Sequence, residues 1–287
     1  MKPTNLKSKI FLDSSSHEET KEIIELLGFL DGQTTNPTNF SKSPDIAARI
    51  QRGEKFDQHE VYEAYKKQVQ AISALLPAGS ISIEVYADQN TTAEEMMRQG
   101  REMFAWIPNA HIKLPITAEG LRAASMAISE SMRVNMTLCF NQEQAAAVYA
   151  ATQGAQRGDV YVSPFIGRLF DRGENGFDLI ANVLKMYENG DGHVLILASS
   201  VRTGEQFTHA LALGTDIITA YFAAIKEWGK QGMPTPDLET FDDGDLRKIV
   251  YQTIALDKPW QEYHISHELT DTGLTQFVTD WNSLIKK

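Results

Sequence analysis

The chain of 287 residues has a single cysteine, Cys139, with no flanking cysteine or histidine at metal-ligand spacing. That excludes an internal disulfide and argues against a cysteine-based metal centre, leaving Cys139 as small apolar packing. No uninterrupted apolar run is long enough to span a bilayer. No apolar stretch follows Met1-Lys2-Pro3-Thr4-Asn5-Leu6-Lys7, so the expectation is a cytoplasmic protein without a leader. Basic residues are in deficit, 27 against 38 acidic, and the net charge of -11 argues against nucleic acid or an acidic membrane surface as partner. An anionic ligand must therefore be met by local cations. Neither a G-x-G-x-x-G nor a Walker loop is present. The acidic Asp242-Asp243-Gly244-Asp245 lacks the spacing and terminal glutamate of a calcium loop and reads as a helix cap. No metal is expected.

What is present is an ordinary globular composition, 42% hydrophobic, with short apolar runs alternating with helical patterns. Eight such runs occur: Ile10 to Asp13, Gly32 to Thr35, Ile81 to Val85, Ala110 to Leu114, Val134 to Leu138, Val160 to Ser163, Val194 to Ser199 and Ile217 to Thr219. Eight βα units in this length predict a single (β/α)8 TIM-type barrel, an α/β fold occupying residues 1–287 as one domain. Two regions exceed a minimal barrel. Pro44 to Pro77 predicts an extra helical segment after the second strand, with Val61, Tyr65, Val69, Ile72 and Leu76 facing the core. Residues 230–287 predict a helical C-terminal extension, ending in a helix from Thr270 or Thr272 to Lys286. Trp228, Trp260 and Trp281 are expected in packing or subunit contacts; a homo-oligomer is compatible with the sequence.

In a (β/α)8 barrel the carboxyl ends of the strands converge on one mouth. Here those ends supply Asp13, Asn36, Glu84, Lys113, Asn135 with Thr137, Ser163 and Ser200. Each has a plain alternative, Lys113 as a cation snorkelling off a strand end and Asp13 as a helix cap. A lysine facing a closed site is instead expected to lose solvation and to attack a carbonyl as a free amine, which predicts a Schiff-base enzyme. Convergence from seven strands favours the active-site reading.

Several of these residues lie in longer segments: Phe11-Leu12-Asp13, Thr34-Thr35-Asn36-Pro37-Thr38, Ile83-Glu84-Val85, Ile112-Lys113-Leu114-Pro115, Asn135-Met136-Thr137-Leu138, Ser163-Pro164-Phe165-Ile166-Gly167-Arg168 and Ser200-Val201-Arg202. In content and order they resemble the transaldolase family, and His267 to Leu274 resembles its closing helix. The resemblance implies transfer of a dihydroxyacetone unit from a ketose phosphate (sedoheptulose 7-phosphate or fructose 6-phosphate) to an aldose phosphate (glyceraldehyde 3-phosphate or erythrose 4-phosphate). The setting it implies is the non-oxidative pentose phosphate pathway, with no cofactor and sugar phosphates as the only partners. By the same resemblance Lys113 forms the imine and Asp13 takes the proton from the hydroxyl that becomes the departing aldehyde. Glu84 moves protons through a water that Thr137 positions. Asn36, Asn135 and Ser163 hold the three-carbon hydroxyls, while Arg168, Ser200 and Arg202 grip phosphate. A guanidinium suits that last task, although a surface salt bridge is the plain alternative for either arginine.

Two rivals remain. A fructose 6-phosphate aldolase-type lyase would release dihydroxyacetone; the positions of Glu84 and Phe165 tend to carry glutamine and tyrosine in that branch, so this chain sides with transaldolases at both. A noncatalytic phosphosugar-binding barrel would have lost Lys113, Asp13 or Glu84, and all three are present.

Overall fold

Capping residues divide the apolar runs from the helical patterns, and the chain folds where they stand. Ser16, Thr92, Thr117, Asn141 and Thr203 each accept a backbone N–H of the helix they precede, and Thr92 closes a capping box with Glu95. In the computed structural model, which describes residues 2–238 and 244–286, eight strands result. They are β1 (Lys9–Asp13), β2 (Gly32–Thr34), β3 (Ser80–Glu84), β4 (Ala110–Pro115), β5 (Val134–Cys139), β6 (Val160–Pro164), β7 (Val194–Val201) and β8 (Ile217–Ala220). Every strand runs parallel to the next, and β8 returns to β1 to close the barrel. Closure removes both sheet edges and aims all eight carboxyl ends at one mouth.

Twelve helices surround it among the described residues: α1 (His17–Leu27), α2 (Pro37–Lys42), α3 (Pro44–Gln51), α4 (Gln58–Leu75), α5 (Ala93–Phe104), α6 (Ala118–Ser129), α7 (Gln142–Ala151), α8 (Ile166–Asp171), α9 (Gly176–Tyr187), α10 (Gly204–Ala212), α11 (Phe222–Lys230) and α12 (Glu268–Ser283). The extra segment after β2 is there as α3 and α4, and Val61, Tyr65, Val69, Ile72 and Leu76 are all buried. No helix among the described residues is long and apolar enough to cross a membrane.

The C-terminal extension is helical in α12, which starts at Glu268 with His267 as its cap, two residues earlier than the first expected start at Thr270. The stretch before it differs from the expectation: residues 244–266 are irregular apart from one 3-10 turn, Trp260–Glu262. Asp242 and Asp243 lie outside the described residues, and no helix starts within residues 245–259. The physical reason is that this segment spends its backbone groups on other elements. Arg247 N donates to Gly173 O, Ile249 N to Asp178 Oδ2 and Gln252 N to Gln142 Oε1, at 2.7, 2.9 and 2.8 Å. A chain strapped across α7 to α9 in this way has committed these N–H groups and cannot also use them in a helix of its own.

Inside the barrel, alternation along the strands decides what meets what. Phe11, Tyr161, Leu195, Leu197 and Ile217 form an apolar plug, with His111 stacked on Tyr161 at 4.2 Å between ring centres. Burial pushes the His111 imidazole down to about 3, so it is neutral packing. Two residues further along the same strands stand Asp13, Lys113 and Ser163. The interior thus turns from apolar to polar within one layer, at the carboxyl end.

Candidate active site

Strand register assembles the polar layer. Glu84 pairs with Lys113 across β3 and β4, and Lys113 with Asn135 across β4 and β5; Pro115 then pairs with Thr137, and Asp13 with Thr34 across β1 and β2. Lys113 is 3% exposed, and its Nζ lies 2.9 Å from Glu84 Oε2. The pair meets at ion-pair distance without hydrogen-bond alignment, so Glu84 Oε2 is buried with no hydrogen-bond partner. The second oxygen facing the ammonium is the Thr35 carbonyl, at 3.5 Å. The rings of Phe165 and Phe277 flank it, with centres 5.8 and 5.7 Å from Nζ.

Two carboxylates share this small space, Glu84 buried and Asp13 half-buried. Burial pushes Glu84 above the ordinary carboxylate range against the pull of Lys113, and the nearby Asp13 adds to the rise. Burial raises Asp13 as well, opposed by Lys113 and by hydrogen bonds from Thr34 and Asn39. Asn39 Nδ2 donates to Asp13 Oδ1 at 2.7 Å and Thr34 Oγ1 at 3.2 Å; Asn36 Nδ2 is further away, at 3.5 Å, because its own oxygen caps α2 by accepting Asn39 N.

On the other side of Lys113, Ser163 Oγ donates to Asn135 Oδ1 at 2.6 Å, and Asn135 Nδ2 to Ser82 Oγ at 3.0 Å. These bonds orient the amide and leave little freedom to either residue. Thr137 Oγ1 is buried without a protein partner, an uncommon state for a hydroxyl and one suited to holding a water or a substrate oxygen.

The cations gather where α8 meets the end of β7. Gly167 makes this possible: a Cβ there would lie 2.4 Å from Ser200 O and 2.7 Å from Arg202 Nε. Ser200 takes a left-handed φ of 60° at an irregularity in β7, an uncommon backbone state for serine. Arg202 is held by Asp171 through two bonds of 2.8 and 2.9 Å, which raises its pKa. Arg168 makes no ion pair or hydrogen bond with the described residues, and burial lowers its pKa. The Tyr221 phenol stands among Ser200, Arg202 and Arg168.

α12 roofs the site. Thr270 Oγ1 donates to Leu138 O at 3.0 Å, Gln144 Nε2 to Thr270 Oγ1 at 2.8 Å, and Thr38 to Asp280. Gly273 permits the close approach, since a Cβ would lie 2.6 Å from Leu138 Cδ2 and 3.1 Å from Arg168 Nη1. Beside Glu84 a cavity of about 10 Å³ is lined by Pro37, Pro115, Leu274 and Phe277, space for about one water. A larger cavity of about 780 Å³ lies apart, bordered by α4, α5 and α12; of its three carboxylates, Asp88 and Glu95 are engaged in local turns and caps, and Glu102 has no such bond among the described residues.

All eleven predicted residues therefore stand at or around one mouth. Asn39, Thr35, Tyr65, Tyr221 and Phe277 also belong there and had not been singled out for the site. Tyr221 directly follows β8, so the rule that found the others applies to it; Tyr65 carried only a helical core signal, and Phe277 had no signal at all.

The chain is similar in sequence to known proteins. The probable transaldolase of Dehalococcoides mccartyi is 33% identical over 278 residues, covering 97% of this chain and 100% of that one. That of Prosthecochloris aestuarii is 33% identical over 279 residues, 97% and 99% of the two chains, and that of Brucella ovis 37% over 233 residues, 81% and 94%. Residues 10–287 match the family described as transaldolase/fructose-6-phosphate aldolase, and with a closed barrel carrying a buried lysine between two carboxylates at its mouth, the chain belongs to that family of enzymes.

Proposed function

We propose that the protein is a transaldolase that moves a dihydroxyacetone unit between sugar phosphates through an imine on Lys113. The observation that carries this reading is the position of Lys113, buried within 2.9 Å of Glu84 and flanked by two aromatic rings. Glu84 takes a proton from the ammonium, and the free amine attacks the ketone carbon of the donor. The carbinolamine then loses its hydroxyl as water, protonated by Glu84 through a water held at Thr137, and the iminium results. Asp13 takes the proton from the C4 hydroxyl; the C3–C4 bond breaks, its electron pair passes to the iminium, and the aldose phosphate leaves as an aldehyde. The acceptor aldehyde is attacked by the remaining enamine, its oxygen taking the proton back from Asp13, and hydrolysis frees the lysine. Asn36, Asn135 and Ser163 hold the hydroxyls of the three-carbon unit. Arg168, Ser200 and Arg202 bind phosphate, Arg168 offering an uncommitted guanidinium.

Fructose 6-phosphate and sedoheptulose 7-phosphate are the donors, and erythrose 4-phosphate and glyceraldehyde 3-phosphate the acceptors, as in the non-oxidative pentose phosphate pathway. No cofactor or metal takes part. Phe165 supports transfer over simple cleavage, because an apolar ring beside Lys113 offers no hydroxyl to orient a water as proton donor to the enamine. The test combines two measurements. Borohydride with fructose 6-phosphate should trap a three-carbon adduct on Lys113 and none in Lys113→Arg, whose guanidinium cannot act as the nucleophile. Turnover of fructose 6-phosphate should require erythrose 4-phosphate. An adduct on another lysine refutes the imine assignment, and release of dihydroxyacetone as fast as transfer refutes the transferase assignment.

A further inference from the structure

The helix α4 ends the long connection between β2 and β3 and packs outside the barrel against α1 and β3, yet one of its side chains reaches the reacting layer. Tyr65 is 1% exposed, and its ring is fixed by Phe40, Trp106 and Trp281 at 5.0, 6.0 and 5.8 Å between centres. Its hydroxyl lies 2.5 Å from Thr35 Oγ1 and accepts the Glu84 backbone N–H at 3.1 Å. Proton bookkeeping settles the first bond. Thr35 Oγ1 has one proton, which it donates to Ser82 O at 2.8 Å, so the Tyr65 O–H is the donor to Thr35 Oγ1. The phenol thus uses its proton and a lone pair on two residues with one feature in common. Thr35, through its carbonyl at 3.5 Å, and Glu84, through Oε2 at 2.9 Å, both place an oxygen beside the Lys113 nitrogen.

We propose that Tyr65 is a positioning residue for the reaction: by tying the end of β2 to the end of β3 it holds both oxygens that face the Lys113 amine. The proposal rests on the imine reading of Lys113. The physical argument concerns tolerance. Beyond its ion pair with Lys113, Glu84 Oε2 has no hydrogen bond among the described residues to fix it, so its placement relative to Nζ depends also on its backbone, and Tyr65 accepts that backbone N–H. A shift of about 1 Å at a proton-transfer pair is enough to cost a large part of its contribution. Three aromatic neighbours keep the phenol from following any such shift. Burial pushes the phenol well above its ordinary pKa, so it stays a neutral donor and acceptor.

Tyr65→Phe removes one oxygen and keeps the ring packing. With fructose 6-phosphate and erythrose 4-phosphate, kcat should fall about 10-fold or more, and the rate of borohydride trapping at Lys113 should fall with it. KM for fructose 6-phosphate should move less than about 3-fold, because Arg168 and Arg202 are untouched. Val69→Ala, a buried cavity on the same helix with no bond to the site, is the comparison for lost stability alone and should leave kcat and trapping within about 2-fold. Thr35→Val breaks the same tie from the other side and should reproduce the loss in kcat, also serving if Tyr65→Phe does not fold. Unchanged kcat and trapping rate in Tyr65→Phe, or in Thr35→Val if the former does not fold, overturn the proposal, as does an equal fall in Val69→Ala. Absence of any Lys113 adduct in the wild type would overturn the imine reading itself, and this inference with it.

Discussion

Replacing Arg168 with methionine should move stability and substrate affinity in opposite directions. The free protein holds a partly buried guanidinium with no ion pair or hydrogen bond among the described residues; lost hydration is its largest cost, with repulsion from Arg202 opposed by attraction to Tyr221, Asp171 and Glu84. An apolar side chain of similar length removes that cost, and a gain of about 0.5 to 1 kcal/mol should raise Tm by about 1 to 3 °C for a chain of this size. Binding should suffer. A cation whose only strong partner is a phosphate in a desolvated site contributes roughly 2 to 5 kcal/mol, so the affinity for fructose 6-phosphate should fall between about 30-fold and 5000-fold. Unphosphorylated fructose and dihydroxyacetone never engage Arg168 and should lose less than about 3-fold. Calorimetric scans of the free variant, with kcat/KM for the paired substrates, give both readouts. A lowered Tm, or equal losses on phosphorylated and unphosphorylated donors, would show that Arg168 serves the fold and would refute the phosphate assignment.

Asp13→Asn should stabilise the protein at pH 7 by roughly 1 kcal/mol while abolishing carbon-carbon cleavage, the trade expected where a site buries more charge than packing favours. The sign follows from burial: a carboxyl whose folded pKa is raised adds stability below its unfolded pKa and loses it as pH rises through the folded value. Urea unfolding from pH 4 to 8 should therefore fall less steeply in the variant; a less stable variant at pH 7 contradicts this. Phe165→Tyr, alone or with Glu84→Gln, should raise free dihydroxyacetone from fructose 6-phosphate by about 10-fold or more and lower transfer, since a placed hydroxyl can direct a water to the enamine. An unchanged ratio of release to transfer counts against that role. Gly273→Ala should cost about 1 to 3 kcal/mol in unfolding and also weaken phosphosugar binding, because its Cβ must displace Leu138 and Arg168; a neutral outcome in both would mean that α12 sits less closely than described.

The barrel was legible because each strand is a short apolar run ended by polar residues and a cap, features that involve only neighbours in the chain. The same locality made Lys113, Glu84, Asn135 and Asp13 legible, since all stand at strand ends. What escaped depends on long-range approach. Phe277 meets Lys113 across 164 positions, 277 less 113. Tyr65 shows the same helical periodicity as the buried Val61 and Val69, and nothing local separates a phenol bonded to Glu84 from one that only fills space. The irregular 244–266 segment was illegible for a related reason, because its backbone partners are side chains of α7 and α9 that no local pattern announces.

The aromatic wedge between α4 and α12 has a spectroscopic consequence. Trp281 is 7% exposed and lies 5.8 Å from both Phe40 and Tyr65, on the helix that carries Phe277 over Lys113. Trp228 is buried against Phe207, and Trp106 packs edge-on against Tyr62 and Tyr65. An indole on the roof, packed at the edge of the 780 Å³ cavity, is therefore largely covered while the roof is down. Any lifting of α12 to admit a sugar would bring water to that ring and shift its emission to longer wavelength. The protein carries its own fluorophore on the helix that covers Lys113, and stopped-flow emission could time a lifting of α12 without a label.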